Sequence, residues 1–192
     1  MGRKSIAEAR RAEILAAFER CIGRYGIDVA LDRIAEEAGV QRSLIRHYLG
    51  NRDEVVMQLV VRIAEEYPRK VAAQMDLAVE RGGAGILEVF FGHDMIKPTD
   101  VEALNAVLNA PPERYPQARD LVAQACEAIV TQATAGLARL YPQAPQAHCR
   151  AVAYSLFCMA MAHDDFRWLG LDARYNEMVR EQAAQLINAL GG

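Results

Sequence analysis

No apolar run in this 192-residue chain reaches the length of roughly 18 residues that a membrane-spanning helix needs. The basic N-terminus, Met1 to Arg11, leads into an amphipathic stretch and not into the uniform apolar segment of a secretory leader, so the expected compartment is the cytoplasm. The four cysteines, Cys21, Cys126, Cys149 and Cys158, include no CxxC pair. Scattered thiols of this kind read as small buried hydrophobes. His148 and Cys149 are adjacent and so point to different faces of a helix, which argues against a metal set. A spaced carboxylate pair and a nucleophile motif are missing too. Asp164 and Asp165 after His163 come nearest, and neighbouring carboxylates on a helix diverge. Those absences point away from an enzyme, and neither a cofactor nor a metal is expected. Strand alternation, internal repeats and low-complexity tracts are also lacking.

What is present favours helices throughout. Hydrophobic residues make up 52% of the chain, with much alanine and few β-branched runs. The expected fold class is all-α. The net charge of −3 does not suggest a partner of nucleic acid, but its distribution does. Residues 1–52 hold ten Lys/Arg against seven Asp/Glu, and the remainder twelve against eighteen. A basic N-terminal part can meet phosphate while the acidic part stays clear of it.

Ser5 and Glu8 have the spacing of a capping box, which would start helix 1 and carry it to Gly26. Helices are expected at 31–38 and 42–48. Asn51 and Glu54 would cap a fourth running towards Arg81, which Pro68 should kink or interrupt. Gly82-Gly83-Ala84-Gly85 breaks the chain. Beyond it, helices are read at Ile86–Gly92, Thr99–Leu108, Tyr115–Leu140, Gln146–Leu169 and Asp172–Gly191, about nine in all.

The segment from Ile34 to Leu49 is the most informative. Ala35 is small enough to let a following helix approach. Gly39 can take a left-handed conformation. Ile45, ten residues after Ala35, can bury the second helix on the first. These are the demands of a helix-turn-helix, whose second helix enters the DNA major groove.

With Ile34-Ala35, Ala38-Gly39-Val40, Arg46-His47-Tyr48-Leu49 and Arg52-Asp53-Glu54-Val55, the chain resembles the TetR family of bacterial transcriptional regulators over roughly residues 10–60. The resemblance implies a DNA-binding domain over 1–52 and a helical ligand-binding and dimerisation domain over 53–192. Gln41, Arg42, Ser43, Arg46, His47, Tyr48 and Arg52 become the candidate DNA contacts. Arg42 can pair bidentately with guanine, His47 can bond a base edge or phosphate, and Tyr48 can reach phosphate through its hydroxyl. Arg52, with the start of helix 4, would hold a phosphate. Leu44, Ile45 and Leu49 are expected to face inward. Gln41 stands where the family usually has a capping Ser and is a poorer cap. Arg46 and Leu49 also depart from the family's aromatic residues, which points to a different DNA sequence being read.

The resemblance further implies a small-molecule effector and a homodimer on a palindromic operator, most commonly as a repressor. Two alternatives stay open: an activator of the same fold, and a ligand-binding helical protein without DNA affinity. The candidate pocket walls are Phe90, Phe91, Met95, Leu104, Leu108, Ile129, Tyr154, Cys158 and Met161, with Asn105, Tyr154 and His163 as polar anchors. The candidate dimer interface is Leu156, Ala160 and Ala162 with Met178, Ala183, Leu186, Ile187 and Leu190.

Overall fold

The computed structural model describes residues 3–92, 97–166 and 174–192, with the backbone alone for 3–5 and 163–166. Among these there are nine α-helices and no strand. They are α1 (Arg3–Tyr25), α2 (Leu31–Ala38), α3 (Arg42–Leu49), α4 (Arg52–Glu80), α5 (Gly83–Phe91), α6 (Pro98–Leu108), α7 (Ala118–Leu140), α8 (Gln146–Phe166) and α9 (Arg174–Asn188). Met95 and Asp172 lie outside the described residues, as does the side chain of His163.

The helices follow the apolar periodicity closely, with four differences. Helix α1 begins at Arg3, so Ser5 lies inside it and does not start it. Pro68 sits within α4 without interrupting it. The glycine-rich break is confined to the turn at Arg81 and Gly82, and α5 resumes at Gly83. Tyr115 falls in the turn before α7, whose first residue is Ala118.

The chain forms two compact units, Met1–Glu65 with Ile96–Ala123, and Glu66–Met95 with Gln124–Gly192. The head expected over 1–52 is therefore part of a larger unit that also takes in α6 and the α6–α7 connection. In this first unit Ile14, Phe18 and Ile22 of α1, Leu31 and Ile34 of α2, Ile45 and Leu49 of α3, and Val55 and Leu59 of α4 are buried together with Ala103 and Val107 of α6. Each large apolar side chain so buried contributes about 1.5–3 kcal/mol relative to exposure.

Polar clasps complete this unit. Arg62 bonds Glu19 at 2.9 Å and the fully buried Asp100 at 2.8 Å. Lys97 reaches the same Glu19 at 3.3 Å. Glu102 accepts the backbone N–H of Ile27 at 2.7 Å, and Glu37 is gripped by Arg20 at 2.6 Å and Arg24 at 2.9 Å. Arg20 holds the Glu37 carboxyl below its ordinary range, opposed by partial desolvation and helped by Arg24.

The second unit is built differently. Val71, Met75, Ile86, Phe90, Val130, Leu137, Ala153, Leu156 and Ile187 are among the residues of one continuous apolar core. Helix α5 packs on α8 and α9, and α8 on α9. Its buried polar group is modest: the Thr134 hydroxyl donates to the Val130 carbonyl one turn back, at 2.7 Å. Arg180 donates to the terminal carbonyl of α5 at Phe91, 2.8 Å away, and pairs with Glu88. No helix among the described residues is long and apolar enough to cross a membrane.

Candidate nucleic-acid interface

The turn between α2 and α3 is set by backbone chemistry. Gly39 has φ of 62°, and the N–H groups of Gly39 and Val40 return to the Glu36 and Ala35 carbonyls at 3.1 and 3.0 Å. That closure satisfies the orphan carbonyls at the end of α2 and needs a left-handed residue at its hinge. Gln41 then begins α3 with no side-chain cap, as its chemistry leads one to expect.

Ile45 is fully buried and Leu49 nearly so, one helical turn apart. Leu44 does not join them. It is 38% exposed, because one residue of rotation about a helix, about 100°, carries it off the inward stripe. The opposite side of α3 presents Gln41, Arg42, Ser43, Arg46 and His47, all exposed, and Arg42, Ser43 and Arg46 line a shallow open depression. Tyr48 is half-buried, its ring edge-on to His47 with centroids 4.9 Å apart.

The two arginines expected to grip DNA have different surroundings. Arg42 extends from the first position of α3 to Asp32 in the first turn of α2, 2.9 Å away, and both side chains are exposed. Arg52 is half-buried and donates to the Ile27 carbonyl and to Asp28, both at 2.6 Å. Its guanidinium thus ties the start of α4 to the α1–α2 connection.

The α3–α4 corner is tightly specified. The Asn51 side chain accepts the Glu54 N–H at 3.1 Å and the Glu54 carboxylate accepts the Asn51 N–H at 2.6 Å, a reciprocal cap. Gly50, with φ of 86°, leaves the room this requires: a Cβ there would lie 2.1 Å from the Glu54 carboxylate.

Sequence reasoning did not find the neighbouring clasp. Asp53, in the first turn of α4, takes two bonds from Arg114 at 2.7 and 3.1 Å and one from the Tyr115 hydroxyl at 3.0 Å. The Arg114 bond lowers the Asp53 pKa, against partial burial and with help from Tyr115. Burial first, then the bond to Asp53, raises that of Tyr115. No local spacing could have disclosed a pairing across 61 residues.

The residues proposed for an effector pocket are drawn from both units. Leu104, Asn105 and Leu108 belong to the first unit; Phe90, Phe91, Ile129, Tyr154, Cys158 and Met161 belong to the second. Phe90 and Phe91 are core residues there and Ile129 packs against the core. Tyr154, at 59% exposed, Cys158 and Met161 instead lie on the open side of α8. Of the proposed dimer residues, Leu156, Ala183 and Ile187 are fully enclosed in their own unit and Ala160 almost so. Ala162 and Met178 are exposed, with Leu186 and Leu190 partly buried. No group of three or more residues fit to hold a metal is found among the described residues.

An exposed, partly basic helix face set over a buried Ile45–Leu49 stripe, after a glycine-hinged turn, defines a helix-turn-helix protein. Comparisons agree with that class. The chain is 36% identical over 70 residues to the HTH-type transcriptional regulator BetI of Brucella canis, covering 36% of this chain and 35% of that protein. It is 37% identical over 79 residues to the HTH-type transcriptional repressor AcnR of Corynebacterium jeikeium, covering 41% and 38%. The matches thus span little more than a third of these curated relatives, and no protein-family model matches the chain. Among solved structures, one described as a TetR-family transcriptional regulator from Mesorhizobium loti superposes with a TM-score of 0.75 at 14% identity, over 99% of this chain and 97% of that one. The chain has the TetR-family fold.

Proposed function

We propose that this protein is a TetR-family transcriptional regulator that binds a palindromic DNA operator as a homodimer and is released from it by a small-molecule effector. The observation that carries the reading is the α3 surface, where Arg42, Ser43, Arg46 and His47 stand exposed over a buried Ile45. Side chains of these types can reach base edges and phosphates from one helix in a major groove. The similarity to a named repressor favours repression.

The dimer reading rests on α8 and α9. Ala147, Ala151, Tyr154, Cys158 and Met161 are exposed at alternating spacings of four and three, a coiled-coil-like seam along α8. Tyr175 and Met178, each 56% exposed, continue apolar surface on α9. A second copy of this chain would cover that seam, with the enclosed Leu156 and Ile187 supporting it from behind.

Selection from a random-sequence duplex library tests the function. The purified chain should enrich an inverted repeat whose half-site centres lie about 34–36 Å apart, one turn of duplex, with affinity falling steeply as salt rises. Failure to shift any duplex at low salt would overturn the DNA-binding reading and leave a ligand-binding helical protein.

A further inference from the structure

We infer that Asp32 is a specificity-determining residue: it positions Arg42 for a base edge and keeps it from the phosphates. The inference rests on the DNA-reading function proposed above. Asp32 and Arg42 are ten residues apart, the same separation as Ala35 and Ile45, so the α2–turn–α3 geometry that buries one pair also brings the other together. The Asp32 carboxylate holds Nη1 of Arg42 at 2.9 Å. A guanidinium carries five N–H donors in a rigid plane, so anchoring one nitrogen orients the remaining edge without exhausting it.

The charge matters as much as the geometry. An unpaired arginine on a helix facing DNA is attracted to whichever phosphate is nearest, and that attraction carries no sequence information. Asp32 cancels the charge of Arg42 locally and repels phosphate from its neighbourhood. Arg46, one turn further along α3, is exposed, and its guanidinium has no partner among the described residues. The two arginines therefore divide the work: Arg46 supplies phosphate attraction and Arg42, held by Asp32, reads a base. Asp32 also lowers the repulsion between two cations at i and i+4 on one helix.

The test uses the full chain, the duplex selected by the wild type, and a random duplex of the same length, measured across salt concentrations. Asp32→Ala should bind the random duplex more tightly with a salt slope steeper by about one, as a freed cation adds a phosphate contact. Its ratio of specific to random affinity should fall about tenfold, the scale of one bidentate base contact. Asp32→Asn keeps a bonding partner but not the charge, so it should show the steeper slope with a smaller loss of ratio. Asp32→Glu should recover the wild-type slope. In an Arg42→Ala background, Asp32→Ala should leave the ratio unchanged, the non-additivity expected of a coupled pair. An unchanged ratio and slope in folded Asp32→Ala, or equal losses on both duplexes, would overturn the assignment. Should the wild type bind DNA yet lose only discrimination in Arg42→Ala and not in Asp32→Ala, Asp32 is excluded while the DNA-reading function stands. A wild type that selects no sequence removes both.

Discussion

Each compact unit has an apolar core, and the two differ in how far charge enters it. In the first, charged side chains cross between elements far apart in sequence: Glu19 and Asp100 on Arg62, Glu102 on the Ile27 N–H, Asp53 on Arg114 and Tyr115. The second unit also has cross-element pairs, Arg180 with Glu88 and Arg139 with Asp76, but these are more exposed. Its interior is an apolar cluster from Val71 to Ile187 in which Thr134 satisfies itself on its own helix. Hydrogen-bonded charges work at one geometry, whereas apolar contacts tolerate repacking at constant volume. The first unit is thus suited to holding the exposed face of α3 in a fixed orientation. The second is suited to accommodating change.

Three substitutions sharpen or break that comparison. The largest effect is expected at Asp100. Asp100→Ala leaves the half-buried Arg62 with one carboxylate fewer and should cost about 3 kcal/mol, the lower end for breaking a buried pair. Urea unfolding followed by circular dichroism measures it, and a cost as small as a surface pair's, below about 1 kcal/mol, would erase the distinction.

Leu156→Met, in the second unit, exchanges one fully enclosed apolar side chain for another of similar volume. Its cost should stay under about 1.5 kcal/mol by the same urea measurement. A loss matching that of Asp100→Ala would mean the second unit is as exacting as the first.

The smallest effect concerns pH. Arg114 holds the folded-state pKa of Asp53 below its ordinary value. Asp53 therefore adds stability above an unfolded pKa of about 3.9 and loses it as pH falls through the lower folded value. The group is partly exposed, so the contribution is modest. Asp53→Asn should reduce the drop in urea midpoint between neutral and acid pH. An identical drop in wild type and variant would show that the clasp carries no ionic stabilisation.

What was legible in the sequence was mostly what is local. Gly39, the missing side-chain cap at Gln41 and the Asn51–Glu54 cap depend on neighbours within a few residues, and the buried Ile45 on a spacing of ten from Ala35; all stand as their chemistry suggests. Leu44 differs because it is adjacent to Ile45 and so cannot share its inward stripe, which Ile45 and Leu49, four residues apart, occupy in α3. The Asp53–Arg114 and Ile27–Glu102 bonds, 61 and 75 residues apart, have no local signature. Asp32 is intermediate. Its spacing from Arg42 matched a separation already singled out for Ala35 and Ile45, and that parallel was the available signal. On α8 the apolar residues run round much of the helix, so periodicity could not tell Leu156, facing inward, from Tyr154, facing out.

The corner at Gly50, Asn51 and Glu54 has a consequence in time. Every bond in it links residues no more than four apart, so its closure requires no search through the chain. Such local contacts form on the scale of helix growth, about a microsecond, whereas a contact such as Arg114 to Asp53 must wait for a long loop to close. Local bonding of this kind favours early setting of the angle between α3 and α4, ahead of the clasps that close over long loops.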